Sequence, residues 1–238
     1  MDSRQNFLKG AVILSVAGAI SKVLGALYRI PLARLIGGEG MGLYQMAYPI
    51  YTTILSLATA GVPVAISVLV SRKETQGLTG DSRKIFRASL VMLFIFGIVL
   101  SLAVMQAARF IANNILHEPR AYYPILAVAP AIFFAGLMSV FRGYFQGHQT
   151  MIPTAVSQVL EQLFRVTAVL ILAVVLFPRG LEFAAAGATF GAVMGGVIGL
   201  TVLFIYYLRF RREQARQKIN LQYSGTSSWE LARDVVRL

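Results

Sequence analysis

The sequence contains no cysteine, and only two histidines, His117 and His148, among its 238 residues. The first absence excludes disulfides and thiolate metal sites. The second leaves too few ligands for a zinc centre or a histidine-dependent catalytic site, so neither metal nor cofactor is expected. Acids are scarce as well. Ten Asp and Glu stand against 22 Lys and Arg, for a formal net charge of +12. Charged residues are only 13% of the chain and hydrophobic residues 57%, with a mean hydropathy of +0.68. A soluble domain of this length needs more polar surface, so the composition selects a membrane protein. Enzyme signatures are missing too. There is no phosphate-binding glycine loop closing on Lys-Ser/Thr, no nucleophile elbow and no pair of intramembrane carboxylates. An enzyme is therefore not expected.

What the chain does have is long apolar runs. A spanning helix needs about 20 mostly apolar residues. Six segments qualify, at residues 7–36, 43–70, 85–115, 122–145, 152–177 and 183–208. Short turns such as Gly37-Gly38-Glu39-Gly40, His117-Glu118-Pro119 and Pro178-Arg179-Gly180 join them. The fold class expected is an all-α integral membrane protein. Residues 1–208 form a six-helix lobe, 209–227 a basic cytoplasmic linker, and 228–238 the start of a seventh helix. Ser227-Ser228-Trp229-Glu230 has the look of a helix start. The chain is thus expected to be the first part of a longer protein, or else a half-size protein that pairs with itself or a partner. Arg4, Lys9 and Ala17-Gly18-Ala19 also fit a signal peptide, but the helical pattern runs on to Ile36 and favours an uncleaved span.

The basic residues set the orientation. With the N-terminus inside, one side collects Arg4, Lys9, Arg72, Lys73, Arg83, Lys84, Arg87, Arg142, Arg209, Arg211, Arg212, Arg216 and Lys218. The other side holds Arg34, Arg109, Arg120 and Arg179. This bias puts the N-terminus in the cytoplasm and explains most of the net charge without a nucleic-acid partner. The polybasic tail could touch anionic lipid, although topology alone accounts for it.

Two helices carry unusual polar residues. Lys22 and Arg29 are seven apart in the first span, nearly one face and roughly 10 Å along the axis. Ser15 extends that stripe, Arg34 lies near the outer end as an interfacial anchor, and Pro31 is expected to interrupt the helix. A cation at mid-bilayer costs several kcal/mol unless it meets water or a partner. Pairing with acids or snorkelling are the alternatives, but of the ten acids only Glu161 lies well inside a span. Lys22 and Arg29 are therefore assigned to a wet, electropositive cavity. In the fifth span Thr154, Gln158, Glu161, Gln162 and Arg165 share a face, with Glu161 and Arg165 in the favourable i,i+4 order. This face either glues helices together or meets cargo. Gly187, Gly191, Gly195 and Gly199 in the sixth span form a small-residue ridge for helix packing. Gly61 and Pro63 suggest a break in the second span.

Two long blocks carry a family resemblance. SKVLGALYRIPLARLIGGEGMGLYQMAYPIY with TAGVPVAISVLVSR, and FRGYFQGHQTMIPTAVSQVLEQLFR, resemble the stage V sporulation protein B group. That group is the polysaccharide-biosynthesis branch of the multidrug/oligosaccharidyl-lipid/polysaccharide (MOP) exporters and is related to the MurJ and Wzx flippases. The resemblance implies two pseudo-symmetric six-helix lobes around a central cavity, with this chain as the N-terminal lobe. It implies a bacterial plasma-membrane flippase or exporter for undecaprenyl-diphosphate-linked oligosaccharide, such as a peptidoglycan precursor or polysaccharide unit. The implied partners are the bilayer, that cargo and a C-terminal lobe or second half-size chain. Lys22 matches a cavity cation of MurJ-like proteins. A second such arginine aligns with Tyr28, and the acid after it with Arg29, so positive charge is kept one residue along. A cation-coupled drug exporter of the same superfamily is the alternative, but its usual helix-one acid is missing between Phe7 and Gly37. A non-transporting scaffold in sporulation or envelope assembly would have no need of unpaired intramembrane cations.

Overall fold

A computed structural model describes residues 3–216 and Val235, with side chains from Lys9 onward apart from Ala58. The described residues form helices and short connections, with no strand among them. In chain order the helices are α1 (Ser3–Leu27), α2 (Arg29–Thr59), α3 (Val62–Thr75), α4 (Thr79–Phe110), α5 (Tyr122–Val128), α6 (Pro130–Gly147), α7 (Ile152–Leu176) and α8 (Leu181–Arg216).

Proline and glycine explain where the apolar runs break. Pro31 has no N–H to offer the Leu27 carbonyl, so the helical ladder loses that rung beside Tyr28, although Tyr28 keeps helical angles and both of its own i,i+4 bonds. Pro130 likewise separates α5 from α6 at Ala129, whose carbonyl accepts a hydrogen bond from Ser101 Oγ of α4 at 3.0 Å. Gly61, at φ +75°, divides α2 from α3 as expected, and this left-handed conformation favours glycine. Gly37, at φ +68°, bends α2 sharply. The chain folds back there, because the hydroxyls of Tyr28 and Tyr44 meet at 2.6 Å across the bend.

Five helical runs are long and apolar enough to cross a membrane: Lys9–Thr75, Thr79–Ile115, Pro119–Gly147, Ile152–Arg179 and Leu181–Arg216. The first, of 67 residues, would reach about 100 Å if straight, over three bilayer cores. Its fold-back at Gly37 makes two arms of it, which restores six apolar segments. The second arm resumes directly after Gly37 rather than at Leu43. The basic linker expected at 209–227 is also revised. Residues 209–216 continue α8 without interruption, because LRFRREQAR is rich in strong helix formers. The remainder of that linker lies outside the described residues. So does the expected seventh helix at 228–238, except for Val235.

Two apolar clusters hold the helices together. One gathers Tyr28, Leu32, Ile36, Tyr44, Ala47 and Tyr51 against Ile125 and Val128 of α5 and alanines of α8. The other is aromatic, with Phe86 at 4.6 Å from Tyr207 and 5.1 Å from Phe141. Meanwhile α4 leaves Val91, Phe94, Ile95, Val99 and Leu102 exposed, an apolar face suited to lipid. The glycine ridge of α8 lies on α7. A Cβ on Gly195 would stand 2.7 Å from the Glu161 carbonyl oxygen, and one on Gly191 3.1 Å from that of Arg165. The close approach of α8 thereby holds the backbone beneath the polar face of α7.

Just past α6, His148 packs against the rings of Tyr144 and Phe210, with Glu74 3.9 Å from its Nδ1. Burial pushes its imidazole below the ordinary histidine value, and Glu74 only partly opposes this. The folded chain therefore binds fewer protons than the unfolded one below about pH 6.5, so stability falls as pH drops through that value. Thermal unfolding in detergent between pH 7.5 and 5 should show this loss, and His148→Gln should flatten it. An unchanged slope in the variant would assign the effect elsewhere.

Candidate functional site

The polar residues converge where α1, α2 and α7 meet. Gly18, Ser21 and Gly25 present a shallow face of α1 to α7, and a Cβ on Gly25 would lie 3.1 Å from Gln162 Nε2. Ser21 Oγ donates to the Gln158 carbonyl at 3.4 Å. Small residues at steps of three and four let the helices approach. On either side of this contact a cavity of about 460 Å³ opens. Lys22, Tyr28 and Arg29 line it from the first arm, Tyr48 from the second, and Gln158, Gln162 and Arg165 from α7.

Lys22 and Arg29 thus share one cavity, as their spacing predicts. Both are exposed, and neither has an ion-pair partner among the described residues. The Arg29 guanidinium lies 5.8 Å from the centre of the Tyr48 ring, within cation–π reach. Tyr28 is buried and gives its hydroxyl to the contact with Tyr44. Ser15 is exposed and does not line the cavity, and Thr154 is buried in packing. Arg34 is exposed away from the cavity, between α1's end and the Gly37 bend.

Glu161 lies on the far side of Arg165. Arg165 Nη2 donates to Glu161 Oε1 at 2.6 Å, the expected i,i+4 pair. Its other oxygen accepts from Arg142 Nη2 of α6 at 2.7 Å. Arg142, counted by sequence only for its side of the membrane, is therefore ion-paired. It is half-buried and bridged to the one acid deep within α7. The pairing depends on how α6 and α7 rotate against each other, which spacing along the chain does not reveal. The triad carries two positive charges and one negative, so it leaves the site cationic.

Beyond the triad is a second cavity of about 300 Å³. Tyr48, Tyr51, Thr52 and Thr59 line it from the second arm, Ser139 and Arg142 from α6, and Glu161 and Arg165 from α7. Tyr48 and Arg165 face both cavities. Sequence reading named Tyr28 but missed Tyr48 and Tyr51. Their signal was present in YQMAYPIY, which repeats Tyr at steps of four and three and so puts Tyr44, Tyr48 and Tyr51 on one face. In the structure Tyr44 and Tyr48 stack with ring centres 5.9 Å apart.

Comparison with known proteins places this arrangement. Residues 7–229 match the family described as polysaccharide biosynthesis protein. Over 205 residues the chain is 38% identical to stage V sporulation protein B of Bacillus subtilis, covering 86% of this chain and 40% of that protein. It is 37% identical over 211 residues to the lipid II flippase MurJ of the same organism, covering 84% and 39%. The chain thus spans about 40% of the length of these relatives. In fold it is similar to a MOP superfamily transporter from Pyrococcus furiosus, with TM-score 0.72 and 18% identity over 96% of this chain and 50% of that one. An outward-facing multidrug resistance MATE family transporter of the same superfamily also gives 0.72, at 19% identity, over 97% and 51%. The six-segment helical lobe is half of such a transporter fold, and with the family matched along nearly the whole sequence, this multi-pass membrane protein belongs to the polysaccharide biosynthesis protein family.

Proposed function

We propose that the chain is the first lobe of a flippase that moves a polyprenyl-diphosphate-linked saccharide across the bacterial plasma membrane, with its N-terminus in the cytoplasm. The observation that carries this reading is the cavity holding Lys22 and Arg29 with no carboxylate paired to either among the described residues. Two uncompensated cations within apolar helices are stable only beside water or an anionic ligand. A diphosphate supplies several charged acceptor oxygens, and charge-assisted bonds to ammonium and guanidinium are among the strongest available. Gln158 and Gln162, on the same wall, offer amide donors and acceptors to neighbouring sugar oxygens. The similarity to a lipid II flippase points to the same class of cargo. Transport would follow from rocking of this lobe against a second one around the bound diphosphate.

Among the described residues nothing in the lining of the first cavity is acidic, so a proton- or sodium-coupled exchange of cationic drugs finds no carboxylate there. The test is a leaflet-accessibility assay. Labelled undecaprenyl-diphosphate saccharide is loaded into the inner leaflet of vesicles carrying the full protein, and its arrival outside is followed with a membrane-impermeant modifying reagent. Arrival well above that in protein-free vesicles is expected. Rates equal to protein-free vesicles for every diphosphate-linked cargo offered would overturn the reading.

A further inference from the structure

The second cavity has its own chemistry, distinct from the cationic first one. Its wall includes the break between α2 and α3, with Thr59 on one side and Pro63 on the other. Interrupted helices in transporters commonly border substrate sites. The new helix starts at Val62; Pro63 has no N–H and Ala65 donates to the Gly61 carbonyl, so of the first turn only the Val62 and Val64 N–H groups lack an intrahelical acceptor and carry partial positive charge.

The threonine and serine hydroxyl hydrogens in this wall are already in use. Thr52 donates to the Pro49 carbonyl at 3.1 Å, Thr59 to that of Leu55 at 2.8 Å, and Ser139 to that of Gly136 at 2.6 Å. The donors left for a ligand are those of the guanidinium groups and the Tyr48 and Tyr51 hydroxyls. Arg142 and Arg165 each give one short bond to Glu161 through Nη2. A guanidinium has several more N–H donors than one such bond uses. Glu161 neutralises one of the two positive charges. A ligand here must therefore bring acceptor oxygens, and a negatively charged acceptor fits best.

We propose that the second cavity is a subsite for a carboxylate-bearing sugar residue of the cargo, gripped by Arg142 while Glu161 orients its guanidinium. This rests on the reading of the cargo as a diphosphate-linked saccharide. Because Tyr48 and Arg165 face both cavities, the diphosphate and the sugar attached to it sit in adjoining chambers. A carboxylate in the second chamber extends the triad into an alternating row of charges. Methyl esterification of the sugar removes the charge and keeps the ring.

The test uses the protein in lipid nanodiscs and three competing probes: polyprenyl diphosphate carrying a hexuronic acid, the same molecule as its methyl ester, and bare polyprenyl diphosphate. The free acid should bind at least about tenfold more tightly than the ester, as expected for one charge-assisted contact. In Arg142→Gln the acid-to-ester ratio should fall to within about twofold of unity, and Arg142→Lys should restore part of it. Equal affinity of acid and ester in the unmodified protein overturns the subsite, and that comparison decides the matter even if Arg142→Gln does not fold. An equal loss for acid and ester in Arg142→Gln overturns it too. Failure of all three probes to bind would instead remove the diphosphate reading, and the subsite with it.

Discussion

Lys22→Ala combined with Arg29→Ala is expected to abolish transport of the diphosphate-linked lipid while leaving membrane insertion intact. Both side chains project into the first cavity and carry no ion pair among the described residues. Removing them therefore orphans no partner, and it makes the first arm more apolar. If it holds the diphosphate, each cation would contribute about 1.5–3 kcal/mol through a charged hydrogen bond. Losing both would weaken the grip on the diphosphate by roughly two to four orders of magnitude. The charge-preserving exchange Lys22→Arg should retain much of the activity, whereas each single alanine should fall between wild type and the double variant. Expression in membranes, checked by fluorescence-detected size exclusion, separates loss of transport from loss of fold. Wild-type transport by the double variant would show that the cavity cations do not hold the cargo.

Glu161→Ala should be among the most destabilising single substitutions in this lobe. It leaves Arg142 and Arg165 facing each other without their shared acid, although Glu161 is only 13% exposed and the two arginines 22% and 16%. Removing one member of such a buried set typically costs about 3–5 kcal/mol, because the remaining charge stays desolvated. Here the remaining charges also repel. Adding Arg142→Met to Glu161→Ala should recover a large part of the loss, since it removes one of the two stranded cations. Thermal unfolding of the two variants in detergent measures the difference. If Glu161→Ala unfolds like the wild type, the triad is not a structural tie between α6 and α7.

These two results would separate the roles of the polar residues. Lys22 and Arg29 are expected to matter for cargo and little for folding. Glu161 ties α6 to α7 and should matter for both. Gly195 and Gly191 take part only through the backbone, by letting α8 lie close beneath Glu161 and Arg165.

The hydropathy of the chain by itself determined the membrane class, the number of apolar segments and the breaks at Pro31 and Gly61. Those properties are local, because they follow from windows of about 20 residues and from single residues that lack an N–H or a Cβ. The stripe of Lys22 and Arg29, and the Glu161–Arg165 pair, were legible for the same reason, since helix periodicity fixes which neighbours share a face. Only the tertiary structure decided that Arg142 of α6 shares Glu161, that Tyr48 lies between two cavities, and that the last helix runs on to Arg216. The first two depend on how separate helices rotate and pack against one another. The partner of a buried charge is chosen by packing across helices, and no pattern along one helix encodes it.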